Sequence, residues 1–172
     1  MRKPCSSPAA RAKPTFGAVA GNGYGARVNS VFKMRGDFDV QADYTLLDWP
    51  SVNGVRIGLG GPYVIERDSF SAGDGSPPTP SEVYLTDFGI PGGVVATTDM
   101  TGKLRIVRVG SLWSTYYYSG GTWILDMQRT GTTDDVTISL ASWSDDYRFA
   151  RKNVQVSFDN FMVNRGEVVW PA

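Results

Sequence analysis

The chain contains no histidine and a single cysteine among its 172 residues, and these two shortages remove much of ordinary enzyme chemistry. Without imidazole there is no Ser-His-Asp or Cys-His nucleophile pair, and the usual nitrogen ligands of zinc are missing. Cys5 has no partner within the chain, so no internal disulfide staples the fold and cysteine usage leaves the redox compartment open. Glutamate is scarce too: Glu66, Glu82 and Glu167 lie far apart in sequence. Any catalysis would fall to carboxylates, lysine, tyrosine or a cofactor. No apolar run approaches the roughly 20 residues of a membrane helix. With 17 basic against 17 acidic residues there is no net charge to hold nucleic acid or an anionic bilayer. Neither nucleic acid as a partner nor insertion into a membrane is therefore expected.

What is present suffices for one core. At 41% hydrophobic residues the chain can offset its ordering entropy by burial, whereas two domains would each have little to bury. Residues 1–15 are rich in proline, serine, alanine and basic side chains, which predicts a disordered tail, and residues 16–172 are expected to form a single domain. The start is basic as a signal n-region is, but no apolar segment of roughly 7 to 15 residues follows, so no signal peptide is expected in this chain.

The strongest pattern is Gly36 to Leu47. Phe38, Val40, Ala42, Tyr44 and Leu46 alternate with Asp37, Asp39, Gln41, Asp43 and Thr45, the period-2 signature of a strand with one buried and one wet face. Before it, a strand near Ala26 to Phe32 is expected, separated by a tight turn at Arg35-Gly36. Val55, Ile57 and Leu59 alternate with Gly54, Arg56 and Gly58, and glycine inside a strand marks curvature or the close approach of another group. Ser69 to Ser81, with three prolines, reads as a long loop. Further strands are expected over Tyr63 to Arg67, Glu82 to Phe88 and Val94 to Thr98, with Asp99 to Gly102 as a hairpin turn. Lys103 to Val109, Leu112 to Tyr118 and Thr122 to Gln128 form a meander, and Asp135 to Trp143 alternates again. Asn153 to Val163 changes parity partway, which predicts a bulge near Asp159-Asn160. A turn is expected around Ser144 to Arg151. Many short strands, almost no helix and glycine-rich turns together describe an all-β, two-sheet antiparallel β-sandwich or jelly roll.

The succession GDFDVQADYTLLDWP, NGVRIGLG, TGKLRIVRVGSLWSTYYYSGGTWIL and NVQVSFDNFMV resembles the concanavalin A-like jelly rolls, the broad lectin, glucanase and laminin-G-like superfamily. The match runs from about Gly25 to Val163. It implies two curved antiparallel sheets, a concave face that often binds glycans, a structural Ca2+ in some members, and an extracellular or cell-surface setting of the bacterial module type. The glucanases of that superfamily carry Glu-x-Asp-x-x-Glu or Glu-x-Asp-x-Glu on one strand, and none of the three glutamates here begins such a motif, which weighs against glycosidase activity.

Four clusters are candidates for function. Trp113, Tyr116, Tyr117, Tyr118 and Trp123 concentrate aromatic rings on one hairpin; they read first as cross-strand packing and second as a sugar-binding platform, on which Tyr116, Tyr118, Trp123 and Arg108 would contact ligand. Asp159 and Asn160 at the bulge read as structural hydrogen bonding or, as the resemblance implies, as ligands to Ca2+. Asp37, Asp39 and Asp43 share one strand face, on which neighbours at i and i+2 such as Asp37 and Asp39 lie about 6.5 to 7 Å apart; they read as a solvated face, less as a cation or ligand site, and least as an acid-base pair flanking a glycosidic bond. Arg27, Lys33, Arg35, Lys103, Arg105 and Arg108 read as solvated. The leading expectation is a non-catalytic carbohydrate- or polymer-binding module with a glycan or polysaccharide as partner. The alternative is a structural or adhesion subunit that contacts other protein subunits, and an unfamiliar glycan-processing enzyme ranks third.

Overall fold

The computed structural model describes residues 15–16, 23–49, 51, 53–69, 82–89, 91–144 and 153–171. Within them the chain runs β1 (Thr15–Phe16), β2 (Tyr24–Asp48), β3 (Arg56–Gly60), β4 (Val64–Ser69), β5 (Glu82–Asp87), β6 (Pro91–Ala96), β7 (Thr101–Val109), β8 (Leu112–Ser119), β9 (Thr122–Thr130), β10 (Val136–Ser144) and β11 (Val154–Val169). All pairings are antiparallel, as the alternating pattern and tight turns require.

β2 organises everything else. Its first half pairs with β10, from Tyr24↔Ser144 to Met34↔Val136, and its second half pairs with β7, from Phe38↔Arg108 to Thr45↔Thr101. β11 lies along its other side from Lys33 to Asp48. The ladder thus continues β6-β5-β4-β3-β10-β2 on one side of the switch and β2-β7-β8-β9 on the other. These two halves face one another as a sandwich: Tyr84 of β5 stacks on Tyr117 of β8 with ring centroids 4.4 Å apart, and Tyr63 meets Trp113 of β8 edge-on at 4.9 Å.

The expected turn at Arg35-Gly36 is therefore a bend inside one 25-residue strand. Gly36 adopts φ 60, a conformation costly for side chains other than glycine's, and there the strand exchanges β10 for β7 as its neighbour. Asp99 to Gly102 is likewise no hairpin turn, since β6 pairs with β5 and β7 with β2; it is a crossover between the layers. The bulge near Asp159-Asn160 is present, with the register slipping between Asp159 and Met162, but β11 continues to Val169. The expected turn at Ser144 to Arg151 and the loop at Ser69 to Ser81 fall largely outside the described residues, as does the N-terminal tail up to β1.

The core sits between the halves. Met34, Phe38, Val40, Ala42, Tyr44 and Leu46 of β2 are buried, joined by Ile57, Leu59, Ile65, Leu104, Ile106 and Trp113. Each large side chain so buried contributes roughly 1.5–3 kcal/mol. The space left by Gly58 is filled from within, since a Cβ there would stand 2.5 Å from Val64 and 3.1 Å from the Trp143 ring.

Candidate functional site

Alternation along the second half sorts its side chains. Leu104, Ile106 and Arg108 of β7 and Trp113, Thr115 and Tyr117 of β8 are buried toward the core. Asp39, Gln41 and Asp43 of β2, Lys103 and Arg105 of β7, Tyr116 and Tyr118 of β8 and Trp123 of β9 lie on the outer face, none of them fully covered. Register brings them side by side: Asp43 opposite Lys103, Arg105 opposite Tyr116, and Tyr118 opposite Trp123.

The aspartate row is not simply solvated. Arg105 forks onto Asp39, with Nε 2.8 Å from Oδ1 and Nη2 2.5 Å from Oδ2, while Asn164 donates to both Asp39 and Gln41. Partial burial pushes the Asp39 carboxyl up, but the hydrogen bonds from Arg105 and Asn164 and the charges of Arg105 and Arg165 hold it below the ordinary value. A carboxyl held low is a poor general acid near neutral pH. Asp37 accepts the Gly110 N–H at 2.7 Å. Asp43 receives the Lys103 ammonium at 3.1 Å and the Asn160 amide at 2.9 Å.

The aromatic rings are fixed by the same cations. The Arg105 guanidinium lies 5.4 Å from the Tyr116 ring centroid and 5.3 Å from that of Trp123. Lys103 lies 5.9 Å from the Tyr118 ring. Tyr118 meets Trp123 edge-on at 5.2 Å, and its hydroxyl donates to the Gly121 carbonyl at 2.8 Å. Cation–π contacts of this kind contribute about 0.5–1 kcal/mol at exposed sites, enough to bias rotamers and hold the rings in place.

At the end of this face opens a groove of about 500 Å³. Tyr118 and the Ser119–Gly121 turn form one side; Asp43, Asp159 and Asn160 form the other; Thr101, Gly102 and Asp99 close the crossover end. Asn160 is the one non-glycine residue at positive φ among the described residues, φ 49, and the bulge aims its side chain across to Asp43. Strain of this sort persists where the surroundings fix it and clusters at functional sites. Gly102 is required here because a Cβ would stand 2.7 Å from the Tyr44 hydroxyl. Behind the groove, Tyr44 donates to Tyr84 at 2.6 Å and Tyr84 to Asp99 at 2.9 Å. Burial pushes the Tyr44 hydroxyl up to about 12, and burial with the neighbouring Tyr44 pushes Tyr84 higher still, so both remain proton donors. The Asp99 backbone is held by Arg67, whose Nε lies 3.3 Å from its carbonyl.

Of the residues expected to act, Tyr118, Asp159 and Asn160 meet in this groove. Tyr116 and Trp123 extend the aromatic surface beside it. Arg108 takes no part in that face: it is fully buried and donates to the carbonyls of Gly36 at 2.7 Å and Asp134 at 2.6 Å. Lys103 and Asp99 line the groove in addition to the residues expected to contact ligand. Lys103 was within reach of hairpin counting, because the two-residue turn Gly110-Ser111 sets position 103 opposite 118, whereas Asp99 arrives by a crossover with no local signal.

Among the described residues the bulge assembles no calcium site, and no three Asp, Glu, His or Cys side chains are grouped as metal ligands. The Lys103 ammonium already lies against Asp43, and Asn160 meets Asp43 with its NH2, where Ca2+ requires oxygens.

No protein-family model matches the chain, and no curated protein matches its sequence. Solved structures do. A legume lectin-like domain from Entamoeba histolytica superposes with a TM-score of 0.56 at 10% identity, covering 90% of this chain and 89% of that one. The exoplasmic/lumenal domain of VIP36, solved in a Ca2+/Man3GlcNAc-bound form, gives 0.56 at 8% identity over 92% and 85%. The CBM2 module of the evolved Dit of Lactobacillus casei BL23 phage J-1 gives 0.55 at 10% identity over 90% and 81%. At these identities the likeness is one of fold, and the fold is the concanavalin A-like jelly roll, shared with lectin-like and carbohydrate-binding domains.

Proposed function

We propose that the protein is a non-catalytic carbohydrate-binding module whose ligand lies in the groove beside Tyr118. The observation that carries this reading is the pairing of an immobilised aromatic ring with polar groups across an open trough. Sugars present an apolar C–H face and a rim of hydroxyls; Tyr118 offers a ring for the first, and Asp43, Asn160 and Asp159 offer acceptors and a donor for the second. A volume of about 500 Å³ falls within the roughly 300–1,000 Å³ of small-ligand sites. Because Tyr118 is already held by Gly121, Lys103 and Trp123, binding it costs little ordering entropy. The lectin-like fold supports the reading without supplying a ligand.

A second reading, a structural or adhesion subunit, draws on a different surface. Phe32 meets the exposed Trp170 edge-on at 5.4 Å and Phe161 at 6.5 Å, an aromatic cluster suited to a protein contact.

A polysaccharide pull-down followed by titration calorimetry separates the two. Tyr118→Ala is expected to weaken glycan binding by about tenfold or more, corresponding to about 1.4 kcal/mol. Tyr118→Phe, which keeps the ring, is expected to stay within about threefold. Full affinity in a folded Tyr118→Ala protein would remove the groove as the site, and no glycan bound at all would favour the subunit reading.

A further inference from the structure

The charge in the groove narrows what it accepts. Asp43, Asp99 and Asp159 bring three negative charges to its lining and Lys103 a single positive one. That positive charge is matched by Asp43, whose Oδ1 lies 3.1 Å from Nζ. Asp99 makes no ion pair among the described residues; its Oδ2 accepts the Tyr84 hydroxyl, and the buried Tyr44 and Tyr84 stand behind it. A low-dielectric wall of this kind concentrates the field of a carboxylate toward the open side. The Tyr118 ring adds the negative face of its π system to the same trough.

We infer that the groove recognises glycans with free, protonated amino groups, such as hexosamine oligomers, and turns away those bearing uronate or sulfate. This rests on the glycan-binding reading above. An ammonium on the sugar rim is attracted by Asp99 while the C–H face of the ring covers Tyr118. A uronate in the same place is repelled by the Asp99 carboxylate, with Lys103 already engaged by Asp43. Acylation of the amine removes the charge and the preference with it.

Calorimetry with four hexasaccharides tests this at pH 6 and low salt: β-1,4-linked glucosamine, its N-acetylated form, a neutral β-1,4 glucan, and a galacturonate. The expected order is glucosamine about tenfold or more tighter than the N-acetylated and neutral hexamers, with the galacturonate weakest. The glucosamine preference should shrink to about threefold in 0.5 M salt, because exposed charges are screened, and in Asp99→Asn. The salt response of the parent provides the same test if Asp99→Asn fails to fold. If the neutral or galacturonate hexamer is bound at least as tightly as glucosamine, and Tyr118→Ala abolishes that binding, the charge inference falls while the glycan reading stands. A preference unchanged in 0.5 M salt, or in a folded Asp99→Asn protein, also overturns it. No binding of any hexamer overturns the inference, and the broader polysaccharide pull-down then decides the reading.

Discussion

Arg108 lies buried beneath the sheet whose outer face carries Lys103 and Arg105, although all three belong to one run of seven residues. Parity explains the split, for Leu104, Ile106 and Arg108 share one side of β7. The guanidinium stands 4.9 Å from the Phe38 ring centroid and 5.3 Å from that of Trp113. It serves two backbone carbonyls, of Gly36 and Asp134, that would otherwise lose their partner. Desolvation lowers its pKa, and Asp135, Asp37 and Asp134 offset part of that. Arg is kept charged at such a site because its deprotonation is out of reach, so the cost is met by hydrogen bonds and ring contacts. Arg108→Ala is expected to cost about 3–4 kcal/mol, from orphaned carbonyls and lost packing together, and Arg108→Met less. Urea denaturation checks this as a fall in midpoint at unchanged m-value. Glycan affinity of the folded variant should equal the parent's; a selective loss of binding with intact stability would return Arg108 to the ligand face.

At the scale of elements, β2 separates what the sequence displayed from what it concealed. Its apolar alternation was legible because period 2 leaves a mark on each residue, and Phe38, Val40, Ala42, Tyr44 and Leu46 are buried as that pattern requires. The bulge in β11 was legible for the same reason, since parity changes where a residue is added. The continuity of β2 was not, because Arg-Gly reads locally as a turn and a 25-residue strand far exceeds the usual 5 or so. Which strands pair across the crossover left no local mark, and Asp99 reaches the groove only through that topology. Gly36 supplies a clean test of the bend. A Cβ there meets nothing within 4 Å, so a substitution is penalised by its backbone conformation alone. Gly36→Ala is expected to cost about 1–2 kcal/mol, and Gly36→Asn less, because asparagine visits the left-handed region more readily. Thermal melts ranking glycine above asparagine above alanine would fit a bend under conformational constraint; an alanine variant as stable as the parent would not.

Across the whole molecule, the two halves meet through polar as well as apolar contacts, and one of these makes stability depend on pH. Asp126 of β9 points between the layers, where Thr86 of β5 donates to it and Thr115 of β8 lies 2.7 Å from Thr86. Its Oδ1 is buried without a hydrogen-bond partner. Desolvation pushes the carboxyl up from 3.8 to about 6, with the Thr86 hydrogen bond pulling the other way. The sign follows from proton linkage. Between about pH 4 and 6 the folded protein holds a proton that the unfolded chain has released, so the stabilisation is complete below the unfolded value and is lost as pH rises through about 6. After allowance for solvent screening of a group that is not fully buried, the loss is about 1–2 kcal/mol. Other carboxyls act in the opposite sense: Asp39 and Asp135 are held low by Arg105 and Arg35, and their contribution is lost on acidification. The quantity to measure is therefore the difference between the parent and Asp126→Asn, taken from urea midpoints at pH 4, 5, 6 and 7. Asparagine can still accept from Thr86 and carries no charge to desolvate. The variant should gain on the parent by about 1–2 kcal/mol as pH rises from 4 to 7, with most of the change below pH 6. A constant difference across that range would mean that Asp126 ionises as freely between the sheets as it does in the unfolded chain.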